Sequence, residues 1–279
     1  MNGTERRGDA GHRAERSNPL NYAIAERDRG TLAMVTRAIE RRTVMLAYQP
    51  VVAAAEQSRI AFYEALIRVT DDTGRVIPAR DFIDAVETTE TGRQLDCLAL
   101  EMGLNTLVRH PALRLSVNMS ARSIGYPRWI RTLHRVLRAH PTVGERLILE
   151  ITESSAMVVP DMVTVFMDEL QKEGISFALD DFGAGHTAFR YFKDFFFDIL
   201  KIDGQFIRGI AADPDNQCLT QALISIGRHF DMFTVAESVE TAGDAAAVAA
   251  LGIDCLQGYL FGAPSLRPAF LGETQRQTA

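Results

Sequence analysis

A repeated alternation of short apolar strands with helices is the feature that most constrains the fold of this chain. From residue 113 onward, a segment with helical periodicity separates each predicted strand from the next, and these predicted helices include residues 158–173 and 188–194. Residues 71–79 are predicted to form a loop. The eight predicted strands lie at about residues 45–52, 60–69, 113–117, 146–151, 177–179, 199–202, 233–236 and 255–259. Alternating strands and helices predict a parallel sheet, and eight such units predict its closure into a barrel.

The first two predicted strands depart from this alternation. Only a short polar link, residues 56–59, joins strand 45–52 to strand 60–69, and such a link predicts an antiparallel hairpin. A helix is predicted before them, from about Arg29 to Arg42, because its apolar residues recur on one face. We therefore expect an α/β fold: a (β/α)8 TIM-like barrel with an antiparallel first strand pair.

The polar N-terminus indicates how the chain divides. The first 19 residues are rich in Arg and Gly and have no hydrophobic period, so we predict a disordered polar tail over residues 1–24. Residues 25–279 are then expected to form one domain. The net charge of -6 argues against a nucleic acid polymer as the main partner.

The cysteines and the apolar runs bear on the cellular compartment. Cys97, Cys218 and Cys255 are odd in number and far apart, so neither a disulfide framework nor a zinc site is indicated. No apolar run approaches the roughly 18 residues that span a bilayer, and the N-terminus lacks the apolar core of a signal peptide. We predict a cytoplasmic location and no membrane span.

Two adjacent carboxylates, Asp180 and Asp181, end the buried strand 177–179, and a glycine-flanked turn, residues 183–185, follows them. A buried carboxylate must be paired or bound to a metal. Taken alone, the pair is equally well explained as a solvated strand end followed by a tight loop.

The other strands favour a functional site over a solvated strand end, because most of them also end in polar residues. Those at or near the strand ends are Asn118, Glu150, Asp180, Asp181, Lys201, Glu237 and Gln257. Active sites of such barrels lie at the carboxyl ends of the strands. A packed core does not need so many polar side chains at one rim, so we predict a functional site there.

The chemistry of these side chains indicates a divalent cation site. Carboxylate and amide oxygens suit Mg²⁺ or Mn²⁺ better than zinc, which prefers His and Cys. Asp180 and Asp181 could serve two metals with one carboxylate bridging, as in sites that stabilise phosphoryl displacement. Lys201 could orient or deprotonate the attacking water, or form a salt bridge to Asp203 or a rim carboxylate, and both roles are compatible. His186, in the loop after Asp181, is better explained as a solvated loop residue.

At this point the sequence resembles a known family, the EAL-domain cyclic-di-GMP phosphodiesterases, from about Leu32 to Pro264. The resemblance rests on eight motifs in order: YQP (48–50), EALIR (64–68), VNMS (117–120), LEITES (149–154), DDFGAG (180–185), LKID (200–203), AESVE (236–240) and LQGY (256–259). It implies the same barrel and hydrolysis of cyclic di-GMP to linear pGpG with Mg²⁺ or Mn²⁺ at a two-metal site. It also implies a homodimer.

The resemblance assigns roles to individual residues. The implied metal ligands are Glu64, Asn118, Glu150, Asp180 and Asp181. Glu237 would lie close to the second metal, Lys201 would act as or support the general base, and Gln257 would hold the catalytic water. Glu153 would anchor the loop after Asp181. The implied substrate contacts are Gln49, Leu66 and Arg68, with Arg68 as a phosphate partner.

Three departures from the family pattern are visible. The loop continues as His186-Thr187-Ala188 instead of an aromatic residue and two serines, Ser238 replaces a glycine, and Val69 stands where a tryptophan is common. None removes an implied ligand, but the loop change bears on turnover and its control.

Two other readings of the sequence stay open. The first is a non-catalytic EAL protein that acts as a cyclic-di-GMP receptor or a protein-binding adaptor, although members of that kind usually lack ligands that are present here. The second, a sugar-phosphate enzyme, rests on the barrel alone. In each case, any regulatory input is expected through the tail, dimerisation or an unidentified protein partner.

Overall fold

The computed structural model describes residues 19–184, 193 and 195–273, and its strands form a closed barrel. These strands are β1 (Val44–Ala53), β2 (Glu56–Thr70), β3 (Val76–Pro78), β4 (Leu115–Asn118), β5 (Leu147–Thr152), β6 (Ser176–Phe182), β7 (Ile199–Ile202), β8 (Phe233–Ala236) and β9 (Cys255–Gln257). The order around the barrel is β1-β9-β8-β7-β6-β5-β4-β2, and β1 also pairs with β2, which closes the ring. β3 lies outside the ring, against β2.

One strand of the ring runs against the others. β1 pairs antiparallel with β2 on one side and with β9 on the other. The remaining neighbours in the ring pair in parallel. The barrel with an antiparallel first strand pair, which the short polar link predicted, is therefore confirmed.

Helices connect the strands. They are α1 (Pro19–Glu40), α2 (Ile83–Val86), α3 (Glu90–Arg109), α4 (Pro127–Ala139), α5 (Glu153–Ala156), α6 (Pro160–Gln171), α7 (Gly204–Ile207), α8 (Pro214–His229), α9 (Ala242–Leu251) and α10 (Ala269–Glu273). Most of their buried apolar side chains pack against the strands in one large core, whereas those of α1 and α2 pack against β2 and β3 in a separate cluster. Trp129 of α4 meets Phe166 of α6, which meets Phe177 of β6. Among the described helices, none combines the length and the apolar character needed to cross a membrane.

A third, smaller apolar cluster fills the inside of the barrel. Each of its six buried members comes from a different strand: Val51, Phe62, Ile148, Ala178, Ile199 and Val235. Side chains alternate between the two faces of a strand, so the residue two positions away faces the interior again, one layer higher. In these six strands that residue is Gln49, Glu64, Glu150, Asp180, Lys201 and Glu237, respectively. The barrel interior therefore changes from an apolar layer of side chains to a polar and charged layer within two residues along each strand. We call the second layer the charged layer.

The first helix begins earlier than its periodicity predicted. α1 starts at Pro19 and not near Arg29, so residues 19–24 belong to the helix. Proline is favoured at the first position of a helix, and residues 20–28 contain neither Gly nor Pro to interrupt it. The rest of the predicted tail, residues 1–18, lies outside the described residues.

Three other elements differ from prediction. β3 lies within the predicted loop 71–79, because three residues paired to the edge of β2 are too short to show a period. The predicted helix 158–173 begins only at Pro160, after the separate turn α5. α10 was not predicted, and the helix predicted over residues 188–194 falls on a segment outside the described residues except for residue 193.

Candidate active site

The side chain of Lys201 lies at the centre of the charged layer and is fully buried. Its Nζ atom is 2.8 Å from a carboxylate oxygen of Glu150, Asp180 and Glu237, and 3.4 Å from Oε2 of Glu64. The rim carboxylates are therefore its partners. Asp203, the other partner considered from the sequence, instead accepts a hydrogen bond from the backbone N–H of Gln205 at the start of α7.

Electrostatics keep Lys201 charged. Burial alone would lower its pKa, but the surrounding carboxylates, Asp180 and Glu150 first among them, raise its pKa well above the ordinary value. The ammonium group therefore holds its proton across the neutral range and serves as a fixed positive charge and hydrogen-bond donor.

The carboxylates form two overlapping groups. One oxygen from each of Glu64, Glu150 and Asp180 lies within 4.8 Å of the others, and the same holds for Asp180, Asp181 and Glu237. Asp180 belongs to both groups. Acidic residues clustered in this way are able to hold a metal ion.

One ammonium group does not balance this negative charge. Burial raises the pKa of Glu150 to about 8 and that of Asp181 to about 6, and it raises the pKa of Glu237 well above its usual range. Glu64 behaves differently: burial opposes its ionisation, but Lys201 and hydrogen bonds from Gln257 and Asn118 lower its pKa. The raised values express repulsion and desolvation, which a bound cation relieves.

The backbone bends where Asp180 and Asp181 meet. Adjacent residues of a regular strand face opposite sides, so both carboxylates could not enter one cluster. Here the β6–β7 register shifts between Leu179 and Phe182, and Asp181 has a positive φ of 54°. Aspartate tolerates this left-handed conformation better than most residues do, and strained backbone of this kind is common at functional sites.

Two amide side chains fix the position of Glu64, and a third, Gln49, supports one of them. Nδ2 of Asn118 donates to Oε1 of Glu64 at 2.8 Å, and Nε2 of Gln257 donates to its Oε2. Gln257 also donates to Gln49, which in turn donates to the carbonyl oxygen of Gly262 at 3.1 Å. Both oxygens of Glu64 are thus held from opposite sides.

Three buried oxygens in this layer have no hydrogen-bond donor among the described residues. They are Oε1 of Glu150, Oε1 of Gln257 and Oδ1 of Asp180, and the last of these contacts Nζ of Lys201 only as an ion pair, at 2.8 Å. A buried polar atom without a hydrogen-bond partner costs about 1–3 kcal/mol. These atoms fit a site that takes a cation or a water molecule.

The loop after Asp181 is tied to the barrel from two sides. The buried carboxylate of Glu153 accepts a hydrogen bond from the backbone N–H of Gly183 at 3.2 Å. Nε2 of Gln205 donates to the carbonyl oxygen of Gly183 at 2.9 Å, a contact that no sequence motif indicated. Gly183 has φ of 92°, and a Cβ there would lie 2.5 Å from the ring of Phe206. Residues 185–192, including Thr187, lie outside the described residues.

The predicted substrate contacts share the strand of Glu64. Leu66 and Arg68 follow it at two-residue spacing in β2, so both face the same side, and both are half-buried. Burial lowers the pKa of Arg68. Arg80 and Tyr259 meet nearby, where their hydrogen bond raises the pKa of Arg80. Sequence reasoning missed this exposed pair, because Arg80 belongs to none of the motifs.

Comparisons with known proteins agree on one family. The model of the EAL domain family matches residues 32–264. The bifunctional diguanylate cyclase/cyclic di-GMP phosphodiesterase MucR of Pseudomonas aeruginosa is 33% identical over 233 residues, which are 82% of this chain and 34% of MucR. The cyclic di-GMP phosphodiesterase PdeF of Escherichia coli is 29% identical, over 84% of this chain and 32% of PdeF. The chain thus spans about a third of the length of these relatives.

Solved structures have the same fold. A PaMucR phosphodiesterase in complex with c-di-GMP matches with a TM-score of 0.74 and 32% identity, over 86% of this chain and 98% of that one. The EAL domain of FimX from Pseudomonas aeruginosa, bound to c-di-GMP, matches with a TM-score of 0.77 and 24% identity, over 85% and 97% of the two chains.

Proposed function

Because the chain belongs to the EAL domain family, we propose that it is a cyclic-guanylate-specific phosphodiesterase. It hydrolyses cyclic di-GMP to linear pGpG and so lowers the level of a bacterial second messenger. The observation that carries this proposal is the pair of carboxylate groups that share Asp180 around Lys201. The phosphodiesterase names of MucR and PdeF support it. We further propose that the protein acts in the cytoplasm as a homodimer, subject to a regulatory partner.

The residues present fit a site for two Mg²⁺ or Mn²⁺ ions. Unpartnered Oε1 of Glu150 and the excess of buried carboxylates are what such ions satisfy. Their ligands are proposed to be Glu64, Asn118, Glu150 and Asp180 for one ion, with Asp180, Asp181 and the nearby Glu237 for the other. When bound, the ions activate water and neutralise charge on the phosphoryl group.

Other side chains position the attacking water and the substrate phosphate. Gln257 holds the attacking water, and Lys201 acts as or supports the general base. The guanidinium of Arg68 binds a phosphate of the substrate, while Gln49 and Leu66 line the place it occupies. Glu153 holds the loop that presents Asp181.

A product assay tests this proposal against its alternative. Purified protein is incubated with cyclic di-GMP and Mg²⁺, and the nucleotides are separated by chromatography. We expect conversion to pGpG, and we expect none with Glu150→Gln, which keeps the shape of the side chain but loses its charge. Retention of intact cyclic di-GMP by the unaltered protein, bound but never cleaved, would instead identify a receptor or adaptor.

A further inference from the structure

The short helix α7 follows β7, the strand that carries Lys201, and the barrel itself fixes its position. Ile207 of α7 is fully buried in the core. Asp203, at the N-terminal cap of the helix, accepts a hydrogen bond from the backbone N–H of Gln205 at 2.7 Å. The backbone N–H of Asp203 donates to the carbonyl oxygen of Phe182 in β6 at 3.3 Å. The core and β6 therefore hold α7 in place.

One side chain of α7 holds the turn that bears Asp181. Nε2 of Gln205 donates to the carbonyl oxygen of Gly183 at 2.9 Å, and the carboxylate of Glu153 accepts from the N–H of Gly183 at 3.2 Å. The two hydrogen bonds hold the peptide groups on both sides of a glycine, the residue with the greatest backbone freedom. Asp181 belongs to the same turn, because its carbonyl oxygen accepts from the N–H of Ala184 at 3.1 Å.

The residue that follows α7 holds a second segment, the one that bears Glu237. Nη2 of Arg208 donates to Oγ of Ser238, the next residue after Glu237, at 2.9 Å. Gly204 leaves room for this approach, because a Cβ at that position would lie 2.4 Å from Oγ of Ser238. The hydrogen bond meets the backbone where it is strained, since Ser238 has φ of 56°.

The two segments supply ligands to one carboxylate group. Oxygens of Asp180, Asp181 and Glu237 lie within 4.8 Å of one another, although β7 separates β6 from β8 in the barrel. We propose that α7 is a positioning element for the cation in this group, with Gln205 fixing Asp181 and Arg208 fixing Glu237. This inference rests on the proposed function, because it takes the group as a cation site.

A purely structural role explains these hydrogen bonds less well. The side chains of Gln205 and Arg208 are exposed, and an exposed hydrogen bond contributes little to the stability of a whole domain. Its loss is expected to act on the turn that it holds. The effect should therefore appear in the affinity for a cation and only weakly in the melting temperature.

A matched pair of glutamine variants tests the first link. Gln205→Met removes the donor and keeps the length and charge of the side chain. Gln217→Met is the control, because Nε2 of Gln217 on α8 donates to a carbonyl oxygen in the same way, that of Ile210 at 2.8 Å. Chelated protein without nucleotide is titrated with Mn²⁺, and free Mn²⁺ is measured by electron paramagnetic resonance.

The unaltered protein should bind two Mn²⁺ ions. The group with Asp181 is the more exposed one, so the weaker ion is assigned to it. Gln205→Met should weaken this ion about three- to tenfold and leave the tighter ion unchanged, whereas Gln217→Met should change neither. Parent affinities in Gln205→Met, or equal losses in both variants, would overturn the proposal.

The same titration separates this inference from the proposed function. Two bound ions, with the weaker one sensitive to Gln205→Met, would support the positioning role even if cyclic di-GMP were not hydrolysed. A single bound ion in the unaltered protein would overturn the positioning role together with the two-cation site.

The second link is tested by Ser238→Ala, which removes the acceptor of the hydrogen bond from Arg208 and leaves both charges in place. The weaker Mn²⁺ ion should again lose affinity, and the losses of Ser238→Ala and Gln205→Met should multiply in the double variant, since they concern separate segments. Ser225→Ala is the control, because Oγ of Ser225 donates to the carbonyl oxygen of Gln221 within α8. Parent affinity in Ser238→Ala would overturn the role of Arg208.

Discussion

At the scale of single residues, the site depends on a two-residue step. In β5, β6 and β7 the apolar side chains Ile148, Ala178 and Ile199 are followed two positions later by Glu150, Asp180 and Lys201. The apolar layer closes the barrel beneath these charged side chains, and all three are buried. One ammonium then neutralises a layer of carboxylates that otherwise repel each other.

Lys201→Ala should separate chemistry from binding. Hydrolysis should fall by about 100-fold or more, because the donor that orients the water is lost, while cyclic di-GMP still binds since no direct metal ligand is removed. Turnover by chromatography and binding by calorimetry check this. Lys172→Ala is the control, because Lys172 is an exposed lysine paired with Asp168 on α6. Turnover of Lys201→Ala at the parent rate would refute the role given to Lys201.

Ser238 stands where the family pattern has glycine, and its φ is 56°. A side chain in this left-handed conformation costs about 1 kcal/mol or more, which glycine avoids. Ser238→Gly should therefore raise the melting temperature by about 2–4 °C, even though the exposed hydrogen bond from Arg208 is lost. The melting temperature of both proteins is measured by differential scanning calorimetry. A lower melting temperature would mean that the bond to Arg208 outweighs the backbone strain.

At the scale of elements, short links between segments hold the site in place. Glu153 is the first residue of α5 and joins it to the loop after β6, through Gly183. Asp96 of α3 accepts hydrogen bonds from Ser123 and from the backbone of Ser120, just beyond Asn118. Both carboxylates lie outside the barrel interior and fix segments that carry proposed ligands.

Glu153→Ala should loosen one loop without unfolding the barrel. Losing a charged acceptor costs about 1.5–3 kcal/mol locally, so Asp181 is held less firmly. We expect a higher Mg²⁺ requirement and a lower kcat with a nearly unchanged melting temperature. Rates measured across a Mg²⁺ titration test this, with Glu145→Ala, an exposed acid elsewhere, as control. An unchanged rate and an unchanged Mg²⁺ dependence would contradict the role proposed for Glu153. Global unfolding of the variant would also contradict it, because Glu153 would then be a core residue and not a loop anchor.

Asp96 should make stability depend on pH. Burial raises its pKa to about 6 from the ordinary 3.8. The folded chain therefore holds this proton more tightly than the unfolded chain, and the stability contributed by the group falls as pH rises from about 4 to 6. The variant Asp96→Asn lacks this pH-dependent contribution to the free energy of unfolding. Urea unfolding of both proteins should therefore show that the stability of Asp96→Asn, relative to the parent, increases as the pH rises from about 4 to 6. A constant difference between them would contradict the shifted pKa.

Sequence patterns reveal elements in proportion to their length. The barrel and its antiparallel start follow from strands long enough to show a period, and motifs at strand ends indicate the residues that converge around Lys201. β3 has three residues and α10 five, too few for periodicity to show them. The hydrogen bond from Gln205 to Gly183 could not be predicted, because it depends on the tertiary position of the loop after β6, which a local sequence pattern does not encode.

At the scale of the whole molecule, charge is distributed unevenly. A chain with a net charge of -6 concentrates carboxylates inside one end of its barrel, around the single ammonium group of Lys201. Such a concentration of negative charge attracts divalent cations.

The central claim is that the carboxylates around Lys201 hold the divalent cations needed for hydrolysis of cyclic di-GMP. The most direct measurement is the rate of pGpG formation by exhaustively chelated protein, titrated with Mg²⁺, Mn²⁺ and Ca²⁺. We expect no turnover without metal and recovery with Mg²⁺ or Mn²⁺. Ca²⁺ should inhibit, because its longer bonds and looser geometry misplace the water. Full activity after chelation would contradict the account.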